Sequence, residues 1–452
     1  MPYVPRDHVA EEYTARVGPT RSLDNSSGPL EFNIEASPVH VTDLSQCYLK
    51  VRLKAVRRNT TTGAVEAVKH MHGLTADHLS DPGSIPTTWA TTDADTAAGK
   101  PADDAKLSCL NNLFHTLYSD AELYVNETLV ERVQEYPFVA LFNTTLGFDR
   151  ATKDSVLPAL LGYYEDTPGK FSAAEGNEAH VARVHHLLLN GRETELKARL
   201  CFGALDASRV LPNHASIKIL LTRKPSAFPL YWVDEANATG PAPNIAYELE
   251  LVSAELEVRR LALVPSVARQ EESRLAKKMG RFDFVKTQCK TFTFGAQRSD
   301  IVIENLFAGP VPFAVLVAMM PNAAYHGSLQ SNSFEFKDYG LQQASLVVDG
   351  QIFPSPDGYQ RVNADASKFT DAFLELYRAF PTAHGVTREQ FKGGLFVLPF
   401  SLEDKRGQNG QVSLNFRFAD ALPETVTLLA VAYYRVHFVM DQMRNVSFTY
   451  VP

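Results

Sequence analysis

Alternating apolar and polar residues predict that most of this chain is β-strand. The clearest run extends from Tyr48 to Val56, where apolar side chains would share one face and Lys50, Arg52 and Lys54 the other. A period of two is typical of a strand that is buried on one side only. The basic face would then be a solvated surface, or a contact with a neighbouring protein or nucleic acid.

The first half continues with short strands and a few helical stretches. Asn126-Glu127 separates two apolar runs and predicts a hairpin turn. Apolar residues at helical spacing predict helices over 137–147 and 154–164, and a basic segment, 268–279, predicts another. The strands predicted around them cover Leu30–Ile34, 121–125, 128–130, 182–189, 196–204, 215–222 and 246–264.

The second half repeats this order. Thr291–Phe294 would open it as Leu30–Ile34 opens the first half, and Asp349-Gly350 predicts a second hairpin turn like that at Asn126. A helix predicted over Phe369–Phe380 matches the one after Tyr136. The remaining strands cover 301–306 and 312–319, matched to 39–44 and 48–56, then 345–348, 351–353, 394–400, 411–418 and 425–438.

A repeat of this length predicts two copies of one β-domain. Roughly eight short strands per copy fit a jelly roll, in which two sheets pack face to face. We therefore predict an all-β chain of two tandem eight-stranded jelly rolls, with short helices in the connecting loops. The predicted domains are an N-terminal arm (1–29), a first jelly roll (30–267) with a surface insertion (57–105), a linker (268–288) and a second jelly roll (289–452).

Composition indicates a globular protein that needs no covalent staples. The chain has 452 residues, of which 45% are hydrophobic and 21% charged. Its four cysteines share no CxxC spacing, so we expect reduced, buried thiols. The net charge of −8 argues against broad coating of nucleic acid. We expect no signal peptide and no membrane-spanning segment, because no apolar run is long enough.

Candidate metal ligands are few. His70 and His72 form an HxH pair with His78 nearby, but the pair lies in the polar insertion and no Glu follows at a suitable distance. His185 and His186 fall in a strand-like pattern, which would place them on opposite faces and prevent simple chelation. A cluster of loop histidines is the simpler interpretation of the first group.

The sequence contains no phosphate-binding loop and no nucleophile elbow. Adjacent carboxylates are typical of solvated segments, and the N-x-[ST] matches are expected to be coincidental without a secretory signal. We therefore predict no catalytic, cofactor-binding or metal-binding residues and a protein that is not an enzyme. The residues concerned are Glu11-Glu12, Asp103-Asp104 and Glu271-Glu272 for the carboxylates, and Asn126, Asn143, Asn237 and Asn445 for the N-x-[ST] matches.

Several long segments resemble the hexon-like, double-jelly-roll major capsid proteins of the adenovirus and Polinton type, including capsid-like proteins of adintoviruses. The resemblance extends over most of the chain beyond the arm, and the insertion 57–105 has no counterpart in it. The segments are Pro29–Ala55, Asn111–Val130, Cys289–Met319, Phe334–Pro354 and Phe418–Tyr450.

The resemblance implies a structural role in a virus particle. It implies a homotrimer that forms a pseudo-hexagonal tile of an icosahedral shell, next to other capsomers and minor or vertex capsid proteins. Synthesis would occur in the host cytoplasm, with the nucleus as one site of assembly. Contact with nucleic acid is left open. Two alternatives remain at this point: a minor or vertex capsid protein, and a carbohydrate-active or metal-dependent double-jelly-roll enzyme.

Overall fold

A computed structural model of the chain describes most of its length. The described residues are 6–23, 28–68, 107–170, 176–188, 191–207, 209–232, 245–360, 369–405 and 407–450. Two β-sandwich units follow one another, and we call them the first unit (residues before 264) and the second unit (residues after 279).

The first unit holds eleven of the described strands. Its strands are β1 (Val9–Val17), β2 (Leu30–Ile34), β3 (His40–Asn59), β4 (Val65–Ala67), β5 (Leu107–Cys109), β6 (Tyr118–Val125), β7 (Thr128–Val133), β8 (Thr194–Ala198), β9 (Ile217–Arg223), β10 (Leu230–Trp232) and β11 (Ile245–Leu263). Its helices are α1 (Leu113–Thr116), α2 (Tyr136–Gly147), α3 (Arg150–Ser155), α4 (Leu157–Leu161) and α5 (Glu178–Arg183).

Helix α6 (Pro265–Lys277) links this unit to the second. The second unit contains β12 (Gly280–Phe294), β13 (Asp300–Pro310), β14 (Ala314–Pro321), β15 (Leu341–Val348), β16 (Gln351–Phe353), β17 (Tyr359–Gln360), β18 (Val397–Ser401), β19 (Asn409–Phe418), β20 (Val426–Met440) and β21 (Val446–Tyr450). Its helices are α7 (Asn322–Tyr325), α8 (Thr370–Ala379) and α9 (Arg388–Lys392).

Each unit is a jelly roll built on two main antiparallel sheets, and the first unit has in addition a two-stranded sheet of β5 and β10. In the first unit the strand orders are β1-β11-β3-β8 and β2-β9-β6-β7; in the second they are β12-β20-β14-β18 and β13-β19-β15-β16. The two lists match strand for strand, so eight strands of each unit have a partner in the other. The predicted fold, two tandem jelly rolls with short helices in their connections, is therefore confirmed.

The correspondence between the halves differs from the predicted one. Thr291–Phe294 belongs to β12, whose counterpart is β1 and not Leu30–Ile34. The counterpart of Leu30–Ile34 is β13, and residues 40–59 form the single long strand β3. The predicted arm, 1–29, contains β1, which pairs with β11 along eight residue pairs from Val9↔Leu263 to Val17↔Leu256. The predicted linker, 268–288, likewise contains the first part of β12.

Most predicted helices and hairpins are present. Asp349-Gly350 forms the tight turn between β15 and β16, and α8 lies within the predicted 369–380. The strand predicted over 182–189 is wrong: Glu178–Arg183 is α-helical and Val184–Leu188 continues as a π-helical turn. A short apolar run of this kind fits a buried strand and a buried helix equally well.

Of the predicted insertion 57–105, the described part extends the first sheet. Residues up to Asn59 continue β3, and Val65–Ala67 returns as β4 beside Val56–Arg58. The rest, from residue 69, lies outside the described residues.

One continuous apolar core runs through both units. The four cysteines are free thiols, as predicted, and burial raises the pKa of Cys47 to about 12. A neutral thiol of this kind packs as a small apolar group. No helix in the described residues is long and apolar enough to cross a membrane.

Candidate functional site

The predicted histidine candidates do not form a site in the part of the chain that the structure describes. His70, His72 and His78 lie outside it. His185 and His186 are in the π-helical turn, with ring centroids 5.0 Å apart, so their expected placement on opposite faces of a strand is wrong. The Nδ1 atom of His186 is hydrogen-bonded to the hydroxyl of Tyr164 at 2.7 Å. Among the described residues no group of three or more His, Cys, Asp or Glu side chains could hold a metal ion.

Three of the four described carboxylates in the adjacent pairs, Glu12, Glu271 and Glu272, take part in ion pairs. Glu12 on β1 pairs with Arg259 on β11, and Glu272 on α6 lies 3.0 Å from the guanidinium of Arg444. Glu271 lies 3.4 Å from Arg274 of the same helix. Asp103 and Asp104 are outside the described residues.

The basic face of β3 is matched by carboxylates on, or just before, its neighbouring strands. Lys50 is 2.9 Å from Glu195, Lys54 is 3.4 Å from Glu250, and Arg52 is 3.6 Å from Glu193. All these side chains remain about one-third to one-half exposed. Such pairs contribute at most about 1 kcal/mol each. The face is therefore a solvated ladder of alternating charge and not a basic platform for phosphates.

The most elaborate arrangement of side chains is the surface where the two units meet, which we call the joint. The first unit contributes α2, the 126–127 turn and a 3-10 turn at Gly203–Asp206. The second unit contributes β12, β20, the 441–445 turn and the segment 322–336.

Aromatic side chains fill the centre of the joint. Phe138 on α2 stacks on Tyr325 with centroids 5.8 Å apart and meets Phe334 edge-on at 5.7 Å. One turn later, Phe142 lies 5.2 Å from Phe336. Ten of the twelve α2 residues are buried, as expected for a helix that is apolar around its whole circumference. Each fully buried Phe contributes roughly 1.5–3 kcal/mol.

Polar groups fix the position of α2 against the second unit. The hydroxyl of Tyr433 on β20 donates to Oδ1 of Asn143 at 3.0 Å, while Nδ2 of Asn143 donates to Sγ of Cys201 at 3.0 Å. The hydroxyl of Tyr325 donates to the carboxylate of Glu135 at 2.7 Å. Asn143, one of the N-x-[ST] matches, therefore has both polar atoms engaged inside the protein.

Arg444 connects both units and the linker helix. Its guanidinium is buried, with 7% of the side chain exposed. It donates to the carbonyl of Asn213 at 2.8 Å, to the side chain of Asn213 at 2.7 Å and to Glu272 at 3.0 Å. The backbone oxygen of Arg444 accepts from Nδ2 of Asn126 at 2.7 Å. Arg444 has a left-handed backbone, φ 66°, which is costly for a residue with a side chain.

A buried carboxylate lies at the edge of the joint. Glu131 on β7, 1% exposed, accepts from the backbone N–H groups of Gly203 at 3.2 Å and Ala204 at 2.9 Å. Burial raises the pKa of Glu131 to about 7, although these N–H groups and Lys286 on β12 favour its ionised form. A Cβ at Gly203 would overlap the carbonyl of Val285, so the close approach of the turn to β12 requires glycine.

The two hairpin turns are built alike. Asn126 and Asp349 occupy the same position after β6 and β15, both in left-handed conformation, with φ 47° and 46°. Oδ1 of Asn126 accepts from the N–H of Ser216 at 2.8 Å, and Oδ1 of Asp349 accepts from the N–H of Gln411 at 3.1 Å. The turn at Asn126 differs in that Asn126 is partly buried and bonded to the 441–445 turn, whereas Asp349 and Gly350 are exposed.

The sequence predicts helix α2 and both hairpin turns, but not the joint. The contacts of Arg444 are with residues 172 and 231 positions away, and no short pattern signals them. The apolar circumference of α2 was the one available signal, since such a helix must be covered on all sides.

No known family profile matches the chain. An uncharacterized protein of Caenorhabditis elegans, F54H12.2, is 22% identical over 359 residues, which is 74% of this chain and 80% of that protein.

Solved structures match over nearly the whole chain. A chain of the Sputnik virophage structure superposes with a TM-score of 0.63 at 9% identity, covering 99% of this chain and 90% of that one. The major capsid protein of mavirus gives 0.54 at 10% identity, covering 99% and 91%. The double-jelly-roll fold of this chain is therefore that of viral major capsid proteins.

Proposed function

We propose that this chain is a major capsid protein and that three copies form a pseudo-hexagonal capsomer of an icosahedral shell. The observation that carries the proposal is the pair of matched eight-stranded jelly rolls in one chain, joined by a packed interface. A trimer of such chains presents six similar sandwiches around a threefold axis, an outline suited to tiling a shell. The contact between copies would be heterologous and would close into a ring.

The similarity to the mavirus major capsid protein over 99% of this chain supports the same role. The virion is then the place where the protein acts, and neighbouring capsomers and other capsid proteins are its partners. The buried carboxylate of Glu131 accepts hydrogen bonds from two backbone N–H groups, and His186 is hydrogen-bonded to Tyr164. Both roles suit a structural protein. No observation favours the vertex-protein or enzyme alternatives.

Mass measurement of the purified full chain tests the oligomeric part of the proposal. Size-exclusion chromatography with light scattering should give three times the mass of the 50.0 kDa chain at micromolar concentration. Electron microscopy of concentrated material should show particles tiled with pseudo-hexagonal capsomers. A stable monomer at micromolar concentration would contradict the proposal.

A further inference from the structure

Three arginine side chains among the described residues are buried, and one of them lacks a carboxylate partner. Arg183 is ion-paired with Asp166 at 2.7 Å, and Arg444 with Glu272 at 3.0 Å. Arg260 on β11 is 5% exposed, but no carboxylate of the described residues pairs with it. A buried charge without a counter-charge is strongly destabilising, so Arg260 needs an anionic partner from outside the chain.

The hydrogen bonds of Arg260 leave part of its guanidinium unused. Nη2 donates to the backbone oxygen of Glu35, whose own side chain is exposed. Nη1 is buried and has no hydrogen-bond partner within the described part of the chain. Burial lowers the pKa of Arg260, and among the described ionisable groups only Tyr13 opposes this shift. Since a guanidinium stays protonated in proteins, the site carries a positive charge with a free donor.

A second free donor lies beside the first. Thr42 on β3 is the cross-strand partner of Arg260, so the two side chains share one face of the sheet. The N–H and C=O of Thr42 are bonded to Leu211 at 3.0 and 2.8 Å, on the side away from β11. Arg260 and Thr42 are therefore a non-hydrogen-bonded pair, in which side chains come closest. Thr42 is fully buried, and its Oγ1 has no hydrogen-bond partner among the described residues.

The two donors lie at the end of the first unit where residues 35–39 connect β2 to β3. Tyr13 on β1 is the other cross-strand partner of Arg260, and its ring meets His40 edge-on with centroids 5.0 Å apart. Nδ1 of His40 is in turn hydrogen-bonded to the hydroxyl of Ser37 at 2.9 Å. Tyr13 is 44% exposed, so this side of the site lies close to solvent, from which a small ion can enter.

We propose that Arg260 and Thr42 bind a small inorganic anion of the size of chloride. The anion accepts hydrogen bonds from Nη1 of Arg260 and Oγ1 of Thr42, and it supplies the counter-charge that the described residues do not provide. Both donors are enclosed, which favours a monatomic ion over phosphate or a peptide carboxylate. Because Arg260 also holds the backbone oxygen of Glu35, a bound anion fixes the 35–39 segment to the sheet. The site is independent of the proposed function.

Urea unfolding of the full chain at increasing chloride concentration tests the site, with ionic strength held constant by gluconate, an anion too large to enter. The wild-type midpoint should rise with the logarithm of the chloride concentration, because a ligand that binds only the folded state stabilises it. Arg260→Met should lower the chloride affinity by about tenfold or more, and Thr42→Val by about fivefold, since each removes one donor. Thr42→Val is isosteric and carries the test if Arg260→Met does not fold.

The matched control is Arg259→Met, because Arg259 is the adjacent residue of β11 but pairs with Glu12 and Asp43. It should keep the wild-type response to chloride. A wild-type midpoint that does not change with chloride would overturn the proposal and show that water satisfies both donors. A response that persists unchanged in Arg260→Met and Thr42→Val would place the anion elsewhere, and an equal loss in Arg259→Met would show a non-specific effect of charge. Either result would also overturn the proposal.

Discussion

The two units share their strands but differ in what covers the equivalent sheet. Strand β11 of the first unit alternates buried and half-exposed positions, and its outward side chains form ion pairs such as Glu248 with Arg58 at 3.1 Å. Its counterpart β20 is buried at nine consecutive positions from Val426 to Tyr434. A strand that alternates has one face in water, whereas a strand buried throughout is covered on both faces. The equivalent sheets of the two units therefore differ in exposure: the sheet of β11 has one face in water, and the sheet of β20 is covered on both faces because the joint packs against it.

The largest expected difference between the units concerns their helices after the hairpin, α2 and α8. Phe142→Ala should lower the free energy of unfolding by about 3–5 kcal/mol, because it opens a cavity at the centre of the joint. Leu374→Ala on α8, where the side chain is 48% exposed, should cost less than about 0.5 kcal/mol. Guanidinium titration measures both. Equal costs would show that the joint is not tightly packed.

A smaller effect should appear as a dependence of stability on pH. Folding raises the pKa of Glu131 from 4.5 to about 7, so the folded chain holds a proton that the unfolded chain releases in this range. The contribution of Glu131 to the free energy of unfolding is therefore fully present below about pH 4.5, falls as the pH rises to 7, and is constant above that. The decrease over this range is about 3 kcal/mol.

Unfolding free energies measured from pH 4.5 to 8 test this, and Glu131→Gln should remove that part of the slope. Glu304→Gln, at an exposed position on β13, is the matched control and should retain it. An unchanged slope in the Glu131 variant would mean that the carboxylate is ionised throughout the range.

The smallest expected difference separates the two hairpin turns. Asn126→Ala and Asp349→Ala each remove a side-chain acceptor for a backbone N–H, at about 1 kcal/mol. Asn126→Ala also removes the hydrogen bond to the oxygen of Arg444, so it should cost about 1 kcal/mol more. Urea titrations of the two variants in parallel should resolve this difference. Identical costs would indicate that the 441–445 turn gains nothing from Asn126.

Short sequence patterns are sufficient to predict those turns and helices whose conformation depends on neighbouring residues in the chain. The Asp349-Gly350 turn follows from the left-handed conformations that these residues tolerate, and α8 follows from its helical period. Strand β1 shows no strand pattern in the sequence, because Val9–Val17 carries charged residues on both faces and lies in a polar segment. Its strand conformation depends on pairing with β11, whose residues from Leu256 to Leu263 lie far along the chain, and no local pattern reports such a pairing.

The joint cannot be predicted from the sequence for the same reason, because its contacts join residues far apart in the chain. Its parts come from segments around residues 126, 142, 213, 334 and 444, which meet only after both sandwiches have formed. Each part had an ordinary local interpretation: a turn, a helix, a loop or a strand. That two jelly rolls exist could be predicted from their repeat, but the way in which they touch could not.

Helix α6 has no buried residue, yet it joins the last strand of one unit to the first strand of the next. Because this tether keeps the units close, the joint forms in a first-order step whose rate does not depend on protein concentration. Contact between chains remains a higher-order step that slows on dilution. Dilution therefore leaves the formation of the joint unchanged and would slow only an association of copies.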